Sequence, residues 1–546
     1  MTEYILCNKN LMYKPWGEYM KKLITIIYFA VGLTACGGGG GSGGGNGSHN
    51  GNSGGKPPET PSVTLRLSAS SGAASAPEGH QASLTTTATA SNRNGEAFVV
   101  DLQYDTNIFS SVTAEAGATT GTYTVTATTR SDLMGGDYKG NITARLCKEA
   151  ACVNVYSGTS LAYAYDIKIR LKDWQTFQRN AEHTGYVRVA LDPAKFKRAW
   201  EWIPSDTEAS YYNLSPVATA EGNVIITRTK PFNKGAVHAL NEQTGAQSWS
   251  AEIPDLAYIG TPAFDNGKIY VPVIGNTQNN HVFAFDATTG SYLFKSIFYA
   301  QWTLPGAPVA YGEHFYLAAG TFGGQVSSHS QTNDDIAWRS MSPAGSTWGG
   351  QSLAVDEKHV YYHAGSGLQV FDRLTGVLMS TINDLPEASS GYDYNGGPII
   401  APAGSILSYQ GWEGARKLAR YDLSSKSVLW HSAQSYSTAP AYAKGFIYTA
   451  KNEPPRLDVL KESDGSIAWS WVPPIADNVF IGNAVVTDNL VFISTDKGTY
   501  AIDLATHQSV WSYPVGGNLA LSPDFKLYIQ STWGDNSGGL IAISLR

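Results

Sequence analysis

Few side chains in this sequence have a type and spacing that could do chemistry, and the thiols come first. The four cysteines are Cys7, Cys36, Cys147 and Cys152, and none belongs to a C-x-x-C pair. That removes zinc-ribbon and thioredoxin-type sites. Cys147 and Cys152 bracket Lys-Glu-Ala-Ala between two strand-like runs, so a disulfide across that hairpin is expected in an oxidising compartment. A metal at this pair is not expected, because two thiolates without a nearby histidine cannot complete a tetrahedron. His183 and His363 read as structural groups with satisfied hydrogen bonds, and no Ser-His-Asp arrangement can be placed from spacing. The expectation is therefore no catalytic residue and no metal ligand.

What Cys36 does depends on the segment ahead of it. Met20-Lys21-Lys22 is basic, Leu23 to Leu33 is apolar, and Leu33-Thr34-Ala35-Cys36 follows, which is the layout of a secretory signal peptide. The apolar run is about half the length that spans a bilayer as a helix. Leu33 to Cys36 resembles a lipobox, where bacterial signal peptidase cuts before a cysteine that becomes lipid-modified. The resemblance makes Cys36 the lipidated first residue of the mature chain. Residues 1–36 are read as this leader, with translation beginning at Met20 and Cys7 left without a role. Gly37 instead of Asp after the cut favours the outer membrane of a Gram-negative bacterium, by analogy with lipoprotein sorting. Residues 37–61 are almost entirely Gly, Ser, Asn and Pro, a disordered tether. Its span as a coil is roughly 25–30 Å.

The remaining residues must fold. Charged residues are only 15% of the chain while Gly (57) and Tyr (31) abound, which suits short strands and tight turns. A net charge of −7 provides no field for nucleic acid. Over residues 62–172, Val63, Leu65 and Leu67 share one strand face, and Tyr163, Tyr165, Ile167 and Ile169 repeat the alternation. A β-sandwich resembling the immunoglobulin-like modules of bacterial surface proteins is expected there.

Residues 173–546 repeat. Val237-His-Ala-Leu-Asn-Glu-Gln-Thr-Gly245 aligns with Val282-Phe-Ala-Phe-Asp-Ala-Thr-Thr-Gly290 and Leu368-Gln-Val-Phe-Asp-Arg-Leu-Thr-Gly376. The frame places anchors at Trp249, Phe294, Trp338, Ser380, Trp430, Trp469 and Trp511, each eight residues after Asn241, Asp286, Ser330, Asp372, Asp422, Lys461 and Asp503. A front half of strand, turn, strand precedes each, so the unit is four antiparallel strands about 44 residues long. The last unit stops at Arg546 without its fourth strand, and Phe196-Lys-Arg-Ala-Trp200 stands alone at the start with Trp200 as its anchor. The expected fold is all-β: an eight-bladed β-propeller closed where the two ends share one blade. Ser380 departs from the anchor, and Asp334, Lys426 and His507 depart from the turn glycine, so those units are expected to be looser or differently turned.

These Asp-x-x-Thr-Gly-x-x-x-Trp repeats, with the lead-in Asp173-Trp-Gln-Thr-Phe-Gln-Arg-Asn-Ala-Glu-His-Thr-Gly185, resemble the tryptophan-docking propellers named for pyrroloquinoline quinone (PQQ). The resemblance implies that the anchors dock blade against blade. PQQ-dependent dehydrogenases of this type usually bring adjacent cysteines, a stacking tryptophan and a calcium site to the quinone. The repeats here contain no cysteine, no recognisable calcium cluster and no haem motif, so neither PQQ nor calcium is expected. The chain is also similar to the non-enzymatic lipoprotein scaffold of the outer-membrane β-barrel assembly machinery, from which the sandwich and the glycine tether depart.

In such a propeller the A–B and C–D turns share one face and the longer B–C and D–A loops the other. The second set is rich in aromatic residues, among them Tyr258, Trp302, Trp348, Tyr392, Tyr394, Tyr436, Phe232, Trp412 and Trp533. Aromatic loops on a rigid scaffold suit an interface. The expected function is a monomeric, non-catalytic binding scaffold for an envelope protein or extended polypeptide, held to the membrane by its lipid alone, facing periplasm or exterior. A PQQ-dependent dehydrogenase and a glycan-binding or adhesion module are the alternatives.

Overall fold

The computed structural model describes residues 63–204, 214–230, 232–275, 280–300, 306–319, 324–342, 352–364, 367–385, 397–401, 404–411, 416–531 and 539–546. Cys36 and the tether lie outside them. Residues 61–546 form one compact unit.

The first eight strands build the sandwich: β1 (Val63–Leu67), β2 (Ser71–Pro77), β3 (Ser83–Asn92), β4 (Val99–Gln103), β5 (Phe109–Ala116), β6 (Thr122–Thr129), β7 (Gly136–Cys147) and β8 (Leu161–Arg170). One sheet has the order β1-β3-β6-β5 and the other β2-β8-β7-β4, with β2 and β8 parallel. Alternation decides which side faces in. On β8, Tyr163, Tyr165, Ile167 and Ile169 are buried against Leu84, Phe109, Ala127 and Ile142 while the residues between them are exposed. Cys147, at the end of β7, forms the disulfide with Cys152, with Cα atoms 5.0 Å apart.

Eight more sheets follow, numbered here as blades 1 to 8 in chain order. Blades 1 to 7 are each made of consecutive antiparallel strands, within 218–253, 256–297, 309–341, 354–383, 399–435, 441–471 and 480–513. Blade 8 takes Gly517–Leu521, Lys526–Ser531 and Leu540–Ser544 from the end of the chain and Lys197–Trp202 from its beginning. Leu540 pairs with Trp202 and Ala542 with Trp200, the closure that the orphan strand called for. Blade 2 carries a fifth strand: Leu256–Ile259 pairs with Lys268–Gly275, which also holds Ala263–Asp265. That segment contains Tyr258, so the sequence reading that put it in a loop is corrected. Inner strands such as Asn223–Lys230 and Lys268–Gly275 are buried on both faces by the neighbouring blades, whereas outer strands such as Tyr292–Ile297 are largely exposed.

The repeated motif has a physical explanation in the turn and the seam. Asp286 Oδ1 accepts from the backbone N–H of Thr288 (3.1 Å) and Thr289 (2.8 Å) and from the Thr289 hydroxyl (2.8 Å). Asp372 and Asp503 cap their turns in the same way, and these bonds hold all three carboxyls below the usual carboxylate range. Each tryptophan then leans on the glycine turn of the next blade. Trp200, Trp249, Trp338 and Trp430 donate Nε1–H to the carbonyls of Glu242, Ala287, Arg373 and Glu462 at 2.8–3.0 Å. A Cβ on Gly245, Gly290, Gly376 or Gly465 would stand within 2.6 Å of the indole above it. Glycine is thus required twice, by a left-handed φ near +71° and by the ring lying on it.

The departures fall into a pattern. Phe294 faces the turn that has Asp334 in place of glycine, and Ser380 faces the turn with Lys426: without an indole above, glycine is not needed. Trp469 instead stacks on His507, with centroids 4.3 Å apart and planes 9° apart, and Trp511 meets Phe196 edge-on at 5.6 Å. The expectation of looser turns needs correction for two of the three. Lys426 (φ 52°) and His507 (φ 60°) keep the left-handed turn, and only the Asp334 turn lacks it.

Candidate binding face and the closed hub

Where the lead-in goes decides what the propeller can hold. Residues 174–187 run through the hub and bond to the blades in order. The carbonyls of Trp174, Gln175, Ala181, Glu182, Thr184 and Gly185 accept from Thr219, Phe264, Val355, Ile400, Tyr442 and Val486, in blades 1, 2, 4, 5, 6 and 7, at 2.7–3.0 Å. The Thr176 hydroxyl donates to the Pro308 carbonyl at the entry to blade 3 (2.7 Å). Asn483 links the thread to blade 8, donating to Gln178 Oε1 (2.7 Å) and accepting from Leu519 N–H (2.9 Å). Gln178, Arg179 and His183 adopt left-handed φ to make this path. His183 is buried, Nδ1 lying 3.0 Å from the Pro398 carbonyl and Nε2 3.3 Å from the Ser352 hydroxyl. Burial pulls its pKa down to about 4, so the ring is neutral near pH 7.

The sandwich sits at the turn face of the ring. Arg179 of the thread forms a buried ion pair with Glu78, in the turn after β2. Gly135 N–H donates to the Arg188 carbonyl at 2.8 Å, and Arg546 approaches Asp137 at 3.9 Å. Two cavities open between the two domains, about 460 and 530 Å³ in volume, lined by Lys172, Asp173 and Gln175 together with A–B turn residues such as Gly222, Phe525, Asp265 and Gly312. The turn face is therefore partly covered. The B–C and D–A connections leave from the opposite ends of the strands.

Of the proposed interface aromatics, Trp302, Trp348, Tyr392, Tyr394, Trp412 and Trp533 lie outside the described residues. Within them, Phe232 is 84% exposed and Tyr258 49%, as a contact surface needs, whereas Tyr436 is 3% exposed and donates to Asp458 Oδ2 at 3.1 Å. Tyr436 is a core residue, a correction to its placement on the face. His363 is buried too, with Nε2 3.0 Å from Asp384 Oδ1 and 3.1 Å from the Tyr421 hydroxyl. Among the described residues, one group of three or more His, Cys, Asp or Glu side chains has converging ligand atoms: Asp101, Cys147 and Cys152. Its two sulfurs are spent in the disulfide. No helix among the described residues is long and apolar enough to cross a membrane.

The family model described as "Outer membrane protein assembly factor BamB" matches residues 233–471, from the third strand of blade 1 to the end of blade 6 and less than half of the chain. The ring is a PQQ-like β-propeller. The same fold occurs in a europium-containing methanol dehydrogenase, 14% identical, covering 68% of this chain and 97% of that one with a TM-score of 0.51. BamB from Moraxella catarrhalis is 13% identical, covers 64% of this chain and 98% of its own, and has a TM-score of 0.48. Saccharomyces cerevisiae Sqt1 is 10% identical, with 60% and 94% covered and a TM-score of 0.47. No curated protein sequence matches. For this PQQ-like propeller, sequence reading missed the hub thread. The lead-in was visible as a motif, but being unrepeated it carried no period to place it.

Proposed function

We propose that this chain is a non-catalytic envelope lipoprotein, anchored through Cys36 at the outer membrane, whose PQQ-like propeller holds an envelope protein or an extended polypeptide on its loop face. The observation that carries the reading is the inequality of the two faces. The turn face bears the sandwich, and residues 174–187 are bonded along the inner strands. The loop face, with Phe232 and Tyr258 exposed, is left for a partner. The matched description, an outer-membrane assembly factor, is consistent with a scaffold. The order β1-β3-β6-β5 over β2-β8-β7-β4 supports reading the first domain as an immunoglobulin-like spacer between tether and propeller.

The test uses the full lipoprotein, purified in mild detergent after cross-linking in intact cells. A discrete protein partner, lost from Trp412→Ala and Trp533→Ala variants that keep the wild-type circular dichroism, is expected. Dye reduction dependent on added PQQ and Ca²⁺ would contradict the reading in favour of a dehydrogenase. Retention on polysaccharide with no protein partner would contradict it in favour of a glycan-binding module.

A further inference from the structure

The repeat supplies its own control for an unusual carboxylate. The residue after the first position of the C–D turn, Asn241 in blade 1 and Lys461 in blade 6, is Glu242 and Glu462 respectively. Both lie beneath a docking tryptophan that bonds their carbonyl, Trp200 and Trp430. Glu462 is fully partnered: the Tyr442 hydroxyl donates to Oε2 at 2.6 Å, and the Arg420 guanidinium stands 3.5 Å from Oε1. At the same position in blade 3, Gln331 bonds Asp265 Oδ2 (2.9 Å) and the His314 carbonyl (3.0 Å). Glu242 has neither partner. Where Arg420 pairs with Trp430 across the preceding blade, Trp200 is paired with Ala542. Where Tyr442 takes its bond from the hub thread, Thr219 stands, and its hydroxyl is turned to Asp173 Oδ1 at 2.7 Å.

Glu242 is 1% exposed and no charged side chain is hydrogen-bonded to its carboxylate; the Ser522 hydroxyl alone favours its charged form at short range, and the same hydroxyl serves the buried Tyr528 beside it. It is among the residues lining the 460 Å³ cavity between sandwich and propeller, whose lining also carries the acids Asp137, Asp173 and Asp524 and the bases Lys168, Arg170, Lys172 and Arg546. A buried carboxylate without a charged partner costs several kcal/mol unless a proton or a cation meets it. These acids do not converge as metal ligands do, and the cavity is far larger than a bare ion.

We propose that this cavity binds an organic cation through its guanidinium or primary ammonium group, which takes at Glu242 the place that Arg420 holds at Glu462. The basic residues of the lining then suit an anionic group at the ligand's other end, as in arginine. Burial, with Asp524 and Asp173 adding to it, pushes the Glu242 carboxyl up to about 8 against the opposing pull of Ser522 and Lys526. The empty site therefore holds a proton at neutral pH, and cation binding expels it. Asp173 is itself raised by burial. The other ionisable groups facing the site are Glu221, Tyr528, Asp137 and the four basic residues already named.

The probes are L-arginine, agmatine (which lacks the carboxylate) and CaCl₂, added to the full chain, with binding read by calorimetry and thermal unfolding. Saturating arginine should raise the Tm by about 1–2 °C. Binding should be about tenfold tighter at pH 9 than at pH 7, with proton uptake by the buffer. Agmatine should bind more weakly than arginine. Glu242→Gln should fold and lose at least about tenfold in affinity. Ala542→Arg, which copies Arg420, should raise the Tm without ligand and abolish the response, while Glu462→Gln lowers the Tm and leaves the response intact. A response to Ca²⁺ but not to arginine or agmatine, no response to any probe, or an unaltered response in Glu242→Gln would each overturn the proposal. None of these bears on what the loop face holds.

Discussion

The rim and the hub of this propeller solve the same problem with opposite means. At the rim four of the eight seams are closed by a side-chain device that recurs: an indole laid on a glycine turn, with its N–H on a carbonyl. At the hub the strands converge on one stretch of backbone, residues 174–187, whose carbonyls meet a different blade at nearly every step. The rim tolerates variation when both halves of a seam change together, as Phe294 with Asp334 and Ser380 with Lys426 do. The hub has less freedom, because six thread carbonyls answer to fixed amides in six blades and Gln178, Arg179 and His183 take left-handed φ along the way. A periodic seam can therefore drift blade by blade, while a single thread bonded to one blade after another cannot.

That contrast can be broken or sharpened by substitution. The largest effect is expected at an intact seam: Trp249→Ala removes a buried indole and should cost about 4 kcal/mol in chemical denaturation. Trp430→Ala should behave alike. A cost below 1 kcal/mol would show that the rim contributes little. Next, Arg179→Ala strips the buried partner from Glu78 and should cost about 3 kcal/mol. Limited proteolysis should then cut near 171–173 before the blades, and simultaneous loss of blade protection would mean that the thread and blades unfold together.

The third test is pH. Burial holds His183 in the hub at about 4 and His329 in blade 3 at about 3, both below the unfolded value of 6.5. Below pH 6.5 the unfolded chain takes up a proton that the folded ring refuses, so stability falls as acid is added. The slope is about 1.4 kcal/mol per pH unit for each ring, ending near pH 4 for His183 and near pH 3 for His329. His183→Gln should remove one share of that slope and His329→Gln the other. An unchanged slope in either variant would place the sensitivity elsewhere. The smallest effect concerns the paired departures: Ser380→Trp and Lys426→Gly together should gain about 1 kcal/mol over the sum of the two single changes. Strict additivity would separate the glycine from the indole.

What the residues disclosed follows the same divide. The period, the shared closing blade and the anchor tryptophans were legible because the device recurs and a frame can be counted. The sandwich was legible from alternation on strands such as β8. Lys426 and His507 were misjudged because non-glycine residues were taken to exclude a left-handed turn, which the Asp422 and Asp503 caps still impose. The hub thread and the lack of a charged partner at Glu242 were not legible, since both depend on which residues of distant blades face one another. Only an alignment asking what stands opposite each docking tryptophan, Arg420 in one seam and Ala542 in another, carries a trace of the second. The burial of Tyr436 likewise depends on Asp458, a partner that no local pattern marks.

The account is tested most directly by placing a photo-cross-linking amino acid, one site at a time, on both faces of the propeller in living cells. Positions 412 and 533 represent the loop face, and 266 and 464 the turn face. The account predicts protein adducts from the loop positions and none from the turns. Adducts confined to 266 and 464, or no adduct from any position, would contradict it.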